Sequence, residues 1–300
     1  MELYRPTIER LDELYSYLKH NRFYGCQLSL ANVVFWSEHY NTYYTTIADM
    51  LVFCHTEDGK PNAFTFPVGD GDARVAFDAI VSYFEKEDLP VTFYLVEKEM
   101  FEQIEAWYPG KYVLAYDRDD ADYLYEPEAL ATLKGKKLHA KRNHINRFLE
   151  NCPNYQYEEV TDENAAECLE LARYWIDEKQ KTSEEADEND YLHEYHAIEV
   201  ALYNRDKLFV QGALLRVEGK VVAFTLGSPI NDKVFDVHFE KAYADIQGAY
   251  TMINREFVRH SLMGYQYINR EEDLGIDGLR SAKLSYHPIQ LVEKGTVTTK

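Results

Sequence analysis

The sequence lacks the features that mark disulfide-stabilised, membrane-spanning or general nucleic-acid-binding proteins. It has only four cysteines in 300 residues, scattered without a CxxC pair: Cys26, Cys54, Cys152 and Cys168. This scatter, with no apolar signal region at the N-terminus, favours a reduced cytoplasmic protein. No apolar run is as long as the ~20 residues that cross a bilayer, so the protein would have to reach a membrane substrate from outside the bilayer. The net charge of -20 disfavours general affinity for nucleic acid or anionic membranes.

The composition is that of a folded globular protein. Hydrophobic residues make up 46% of the 300 positions, enough for one large core or two ordinary ones, and the length favours two domains. An acidic stretch at residues 183–190 is interpreted as a solvated loop, because like charges repel one another. The alternative is a lid that attracts a cationic amine substrate.

The order of predicted elements repeats in the two halves of the chain. Each half is expected to begin with helical periodicity, continue with a hairpin, and end with alternating strands and helices. The turns that define the hairpins are Asp58-Gly59 and Glu218-Gly219-Lys220. An antiparallel meander followed by strand, helix and strand predicts an α/β fold with mixed sheets. We expect an N-terminal domain at 1–133, a basic linker helix at 134–160 and a C-terminal domain at 161–300.

Two stretches carry a resemblance to a known family. They are residues 135–148, GKKLHAKRNHINRF, and residues 269–288, NREEDLGIDGLRSAKLSYHP. With the element order, they make the chain resemble tandem GNAT-like acyltransferase domains. More narrowly, the chain resembles the C-terminal domain of phosphatidylglycerol lysyltransferases, which is related to Fem-type aminoacyl transferases.

The resemblance implies an acyl or aminoacyl transferase whose active site lies in the C-terminal half. Its donor would be coenzyme A-linked, as in acyl-CoA, or an aminoacyl-tRNA, and no tightly bound cofactor is implied. The acceptor would be an amine or hydroxyl group on a small molecule or lipid headgroup. The alternatives are a catalytically silent module of the same fold that binds a ligand or protein partner, and a nucleic-acid protein, which the charge disfavours.

Candidate donor-binding residues lie in a basic island and at one turn. The segment from Ala129 to Leu149 contains no acidic residue, and its helix would present phosphate-binding side chains. A solvated linker helix is the alternative. In the GNAT superfold a glycine-rich turn before a helix binds the pyrophosphate of coenzyme A, and here only two of its residues remain, so a plain turn also fits. The full candidate set is Lys136, Lys137, Lys141, Arg142, Asn143, Arg147, Gln247 and Gly248.

Catalytic candidates follow from the same resemblance. Glu240 ends a predicted strand, where a carboxylate can receive a proton from the attacking acceptor. His238 lies two residues earlier, on the same face if the strand is regular, although a buried histidine fits better than a catalytic one. Tyr286 is the candidate acid that protonates the leaving group, with core packing as its alternative.

Candidate substrate-binding residues follow the next predicted strand. They are Arg270, Glu271, Glu272 and Lys283, and an ion-pair cluster is the alternative interpretation. Lys283 and Tyr286 are three residues apart and would share a helix face. The sequence His193-Glu194-Tyr195-His196 has the spacing HExH rather than HExxH, so we expect no metal site there.

Overall fold

The computed structural model describes residues 1–182 and 188–300, so most of the acidic stretch at 183–190 lies outside the described residues. The helices are α1 (Leu11–Leu18), α2 (Leu30–Trp36), α3 (Ala73–Lys86), α4 (Lys98–Trp107), α5 (Pro127–Thr132), α6 (His139–Asn151), α7 (Ala165–Thr182), α8 (Glu188–Tyr203), α9 (Arg205–Leu208), α10 (Ala249–Phe257) and α11 (Asp277–Leu284). The strands are β1 (Thr42–Ile47), β2 (Met50–Glu57), β3 (Lys60–Phe64), β4 (Val68–Gly69), β5 (Thr92–Glu97), β6 (Tyr112–Tyr125), β7 (Gln156–Glu159), β8 (Gln211–Val217), β9 (Lys220–Pro229), β10 (Val234–Ala242), β11 (Tyr267–Asn269) and β12 (Gln290–Thr299). None of the helices in these ranges combines the length and apolar character that a membrane span requires.

The chain forms two compact units, which differ in their bounds from the division expected from sequence. The first unit comprises residues 1–122, 271–277 and 291–300, and the second comprises residues 123–270 and 278–290. The segment 134–160, expected as a linker helix, is part of the second unit and contains α6 and β7. The last strand of the chain, β12, lies almost wholly in the first unit, although it follows the elements of the second.

The first unit is a mixed sheet with helices. Its strands are ordered β1-β2-β3-β5-β12-β6, and β4 pairs with β2. The β2–β3 hairpin turns at Asp58 and Gly59, which have φ of 50° and 76°, as the Asp-Gly pair predicts. Helix α3 connects β3 to its parallel neighbour β5, and Phe77 of α3 stacks on Phe93 of β5 with ring centroids 4.5 Å apart. Aromatic burial therefore holds the crossover helix on the sheet.

The second unit repeats this plan. Its strands are ordered β6-β11-β10-β9-β8-β7, with β7 to β10 antiparallel and β11 parallel to β10. Helix α10 makes the parallel crossover, and Phe257 at its end packs on Phe235 of β10 at 5.9 Å. Residues Tyr123–Tyr125 of β6 supply the strand beside β11. The predicted α/β class with mixed sheets is confirmed, and both halves have the predicted GNAT-like order of elements.

A buried ion pair stabilises the first unit where β12 meets β6. The ammonium group of Lys294 lies 2.7 Å from the Asp122 carboxylate, and both side chains are almost fully buried. Asp122 also accepts a hydrogen bond from the backbone N–H of Cys26 at 2.8 Å. Burial alone would lower the pKa of Lys294, but Asp122, Cys26 and Glu272 outweigh it and hold the pKa well above its ordinary value. Lys294 therefore stays charged in the core, where it neutralises Asp122.

Candidate functional site

The site in the second unit is built around Glu240, near the end of β10. Its Oε2 accepts a hydrogen bond from Asn254 Nδ2 of α10 at 3.1 Å, and its Oε1 accepts one from Arg270 Nη2 at 3.2 Å. The side chain of Glu240 is only 12% exposed. Two hydrogen bonds, one from a guanidinium group and one from an amide, thus fix both oxygens of a carboxylate that is largely removed from water.

A β-bulge explains why His238 does not join Glu240. The pairing of β10 with β9 shifts register between Val237 and Phe239, so His238 is an extra residue on β10. Alternation of side chains is broken there, and the premise that His238 and Glu240 share a face is wrong. His238 is buried, with Nε2 at 2.8 Å from Ser228 Oγ and Nδ1 at 3.4 Å from Asp236. The buried, hydrogen-bonded interpretation of His238 fits the structure.

Arg270 and Tyr286 complete the surroundings of Glu240. Arg270 follows β11, and its guanidinium group lies 4.8 Å from the centroid of the Tyr286 ring. Nη1 of Arg270 is buried and has no hydrogen-bond partner among the described residues. Burial raises the pKa of Tyr286, and Glu240 adds to this, while Arg270 and Thr251 partly oppose it. The Tyr286 hydroxyl therefore keeps its proton at neutral pH and can act as an acid.

Lys283 positions this region of the chain. Its Nζ donates a hydrogen bond to the backbone carbonyl of Arg270 at 2.6 Å, and its own carbonyl accepts one from the Tyr125 hydroxyl at 2.7 Å. Lys283 and Tyr286 are buried, whereas the residues between them are exposed. The predicted shared face of Lys283 and Tyr286 is thus the inner face of the segment, and Lys283 holds the Arg270 backbone.

Glu271 and Glu272 belong to the first unit, although they follow Arg270 directly. Glu271 accepts a hydrogen bond from Asn32 at 3.0 Å. Glu272 lies 3.6 Å from Lys294 and accepts a hydrogen bond from the Cys26 thiol at 3.2 Å. Glu272 is therefore part of an ion pair, as the alternative interpretation expected, whereas Glu271 is bonded to a neutral amide.

The same cluster contains donor atoms of the kind that bind metals. One donor atom each from Cys26, Asp122 and Glu272 lies within 4.8 Å of the others. The ammonium group of Lys294 lies among them, and burial raises the pKa of the Cys26 thiol well above its ordinary value. A protonated thiol beside a neutralising lysine does not fit a metal ion, because metal ligands must be deprotonated.

Only Lys141 of the basic island reaches the site. Its Nζ lies 3.8 Å from the centroid of the Tyr286 ring. Arg142 instead donates to the backbone carbonyl groups of Leu133 and Gly135, the latter at 2.7 Å, beyond the C-terminus of α5. Asn143 contacts His139 on α6 at 3.4 Å. The remaining basic candidates, Lys136, Lys137 and Arg147, are exposed.

The turn before α10 has a structural reason for its glycine. Gly248 has φ of 86°, and a Cβ atom there would lie 2.1 Å from the backbone oxygen of His144 in α6. The glycine thus allows α10 to approach α6 closely. Gln247 is exposed, so the plain-turn alternative accounts for this segment without a bound phosphate.

Replacing Gly248 with alanine should lower the free energy of unfolding by more than the ~1–2 kcal/mol cost of a left-handed residue alone. The added methyl group collides with His144, so α6 and α10 must separate. Gly219 is the matched control, since its φ is 82° and no atom lies within 4 Å of an added Cβ. Urea denaturation measures both variants. Equal losses for G248A and G219A would contradict the close-approach argument.

Sequence reasoning missed Asn254, Tyr125 and Thr251. Asn254 lies on α10 among buried residues of a helix with a polar outer face. An asparagine on the helix face that packs against the sheet could have indicated Asn254, because a buried amide needs a hydrogen-bond partner. Nothing in the sequence places Tyr125 beside Lys283, because that contact joins distant segments.

The chain is similar to known proteins along almost its whole length. Residues 19–296 match the family described as phosphatidylglycerol lysyltransferase, C-terminal. A conserved protein of unknown function from Bacteroides thetaiotaomicron VPI-5482 is 39% identical, with 100% of both chains covered and a TM-score of 0.89. L-PGS from Bacillus licheniformis is 16% identical over 99% of this chain and 93% of that chain, with a TM-score of 0.65, a likeness of fold. An uncharacterized protein of Mycoplasmoides gallisepticum is 24% identical over 199 residues, which span 63% of this chain and 59% of that protein.

Proposed function

Because the chain belongs to the family of the phosphatidylglycerol lysyltransferase C-terminal domain, we propose that it transfers an acyl or aminoacyl group to a hydroxyl or amine acceptor. The family predicted from residues 135–148 and 269–288 is thereby confirmed. The observation that carries the proposal is the meeting of Glu240, Arg270 and Tyr286 in the second unit. These three supply a carboxylate, a fixed cation and a protonated hydroxyl around one point.

Glu240 is the proposed base. Each of its oxygens accepts one hydrogen bond, and a carboxylate oxygen has a second lone pair available. An acceptor hydroxyl or amine beside Glu240 can therefore pass its proton to the carboxylate, directly or through one water, as it attacks the donor carbonyl. Backbone N–H groups of β10 would polarise that carbonyl.

Tyr286 is the proposed acid. Attack forms a bond between the acceptor and the carbonyl carbon, and collapse of the intermediate breaks the bond to the donor's oxygen or sulfur. The departing atom needs a proton, and the raised pKa of the buried Tyr286 hydroxyl keeps one available. Arg270 lies beside both Glu240 and Tyr286 and orients them.

An aminoacyl ester is the donor we favour over coenzyme A. The family's description names a lysyltransferase acting on phosphatidylglycerol, which supports an aminoacyl donor such as charged tRNA and a lipid-headgroup acceptor. The turn at Gly248, where the superfold would bind the pyrophosphate of coenzyme A, is packed closely against α6. An aminoacyl-tRNA donor also places the reaction in the cytoplasm.

A donor panel tests the proposal. The full chain is incubated with acyl-CoA thioesters and with a charged tRNA pool, and the acceptors are phosphatidylglycerol vesicles and a pool of amines. We expect acceptor-dependent consumption of at least one donor, with charged tRNA preferred. If no donor is consumed with any acceptor, the chain is a catalytically silent binding module instead.

Replacing Tyr286 with phenylalanine should slow this turnover by about 10²-fold, at the lower end of the range for a lost general acid. The ring that contacts Lys141 and Arg270 is kept, so kcat should fall more than KM rises. Tyr203→Phe, at an exposed tyrosine on α8, is the matched control and should leave turnover unchanged. Unchanged turnover in Y286F would remove Tyr286 from the chemistry.

A further inference from the structure

Two cationic groups near Glu240 have donor atoms that no acceptor in the described part of the chain occupies. Nη1 of Arg270 is buried, and its N–H groups have no hydrogen-bond acceptor among the described residues. The Lys141 ammonium group lies over the face of the Tyr286 ring, 3.8 Å from its centroid. A buried donor left without a partner costs ~1–3 kcal/mol. Such an arrangement persists where a ligand supplies the missing acceptor.

The local charge indicates what that ligand carries. Lys141 and Arg270 contribute two positive charges, and Glu240 contributes one negative charge that already pairs with Arg270 Nη2. Burial lowers the pKa of Lys141 to about 8, and the like charge of Arg270 adds to this, while Glu240 opposes it only in part. An anion between Lys141 and Arg270 would neutralise the excess positive charge and raise the pKa of Lys141 toward its ordinary value.

A phosphate ester fits these donors better than a carboxylate. A carboxylate is bound best by both arms of an arginine fork, and one arm of Arg270 is already used by Glu240. A phosphate can accept one bond from the remaining arm and a second from a lysine, which binds phosphate as a point charge. Both cations contact the same Tyr286 ring, at 3.8 Å and 4.8 Å from its centroid, so one group can bridge them.

We propose that Lys141 and Arg270 bind a phosphate ester group carried by the acceptor. The assignment of this phosphate to the acceptor rests on the proposed function, whereas the phosphate site itself does not. A phosphate held on Arg270 would bring a neighbouring hydroxyl toward Glu240, because Arg270 contacts that carboxylate. The site thus selects acceptors whose hydroxyl group lies close to a phosphate, whether in a lipid headgroup or in a free phosphorylated molecule.

Amine labelling of the full wild-type chain tests the site without a variant. N-hydroxysuccinimidyl acetate acetylates neutral amines, and mass spectrometry of peptides gives the rate at Lys141 and at exposed Lys137 in the same sample. Glycerol 3-phosphate at ten times its dissociation constant should slow acetylation of Lys141 about tenfold and leave Lys137 unchanged. Glycerol, which lacks the phosphate, should protect neither. Equal rates at Lys141 with glycerol and with glycerol 3-phosphate would overturn the proposal.

Two further labelling experiments identify the source of the phosphate. Vesicles of phosphatidylglycerol replace the small ligand, with phosphatidylcholine vesicles as the comparison. Protection by phosphatidylglycerol vesicles supports a lipid headgroup, and protection by glycerol 3-phosphate alone supports a free phosphorylated acceptor. Protection that is absent with every phosphate contradicts the phosphate site, and protection that is equal with phosphatidylcholine, whose headgroup has no hydroxyl, contradicts the selection of acceptors with a hydroxyl beside the phosphate.

Calorimetry measures the binding of glycerol 3-phosphate to the variant Lys141→Met and to its matched control, Lys137→Met. We expect affinity for glycerol 3-phosphate to fall at least about tenfold in K141M, the size of one lost charge-assisted bond, and to be unchanged in K137M. The test of the phosphate site and the donor panel can fail independently. Protection of Lys141 without turnover supports the phosphate site and refutes the transferase. Turnover without protection of Lys141 supports the transferase and refutes the phosphate site.

Discussion

Replacing Glu240 with glutamine is expected to slow acyl transfer by a factor of about 10²–10⁴, the range for a lost general base. Glutamine keeps the size of the side chain and can still accept from Arg270, but its amide cannot take a proton from the acceptor. Since Glu240 lies at the centre of the proposed site, this change should be the most damaging to turnover. Donor consumption under saturating acceptor measures it.

A matched control separates chemistry from folding. Glu218→Gln, at an exposed turn residue, should leave turnover unchanged. E240Q should lower the urea midpoint, because the buried Arg270 guanidinium group loses its anionic partner, so turnover is compared per folded protein under conditions where circular dichroism shows both variants to be folded. Turnover of E240Q within a factor of two of the parent would show that Glu240 is not the base.

Replacing Lys294 with methionine is expected to lower the free energy of unfolding by about 3–5 kcal/mol, the cost of leaving a buried charge without its partner. Asp122 is fully buried and 2.7 Å from Lys294. Without the ammonium group, Asp122 must either remain charged in the core or take up a proton. Urea denaturation monitored by tryptophan fluorescence measures the loss.

The double variant Lys294→Met with Asp122→Asn tests the cause. Asparagine removes the charge but keeps an oxygen that can accept from the Cys26 N–H, so the double variant should be more stable than K294M alone. Lys86→Met, at an exposed lysine of α3, should stay within about 0.5 kcal/mol of the parent. A K294M variant as stable as K86M would show that the buried pair contributes nothing.

Local patterns predicted the fold where local forces determine it. The Asp58-Gly59 pair predicted the β2–β3 hairpin because these residues accept the positive φ that the turn requires. The helix expected after the hairpin of the first half corresponds to α3, whose buried face packs on the sheet. The repeated order of elements predicted both parallel crossovers.

Pairing between distant segments could not be predicted in this way. Strand β6 runs from Tyr112 to Tyr125, because β12 and β11 supply partners along its length. Tyr125 and β12 also fall in units other than those expected, since register is set by contacts across the chain. No local pattern indicates which edge a strand will join.

The candidate site, like the fold, could be predicted from the sequence only in part. Glu240, Arg270 and Tyr286 were predicted from their places after strands and on a helix, and the structure brings them together. The placement of His238 depended on regular alternation, which the bulge between Val237 and Phe239 breaks. In the basic island the residue types alone could not separate Lys141, which faces Tyr286, from Arg142, which binds carbonyl groups beyond α5.

Hydrogen exchange measured by mass spectrometry tests most directly whether the transferase site lies in the second unit. The full chain is compared with and without a saturating concentration of the donor that it consumes. We predict slowed exchange in the peptides around Lys141, Glu240 and Arg270. Slowed exchange confined to peptides of residues 1–122, with none around these three residues, would contradict the account.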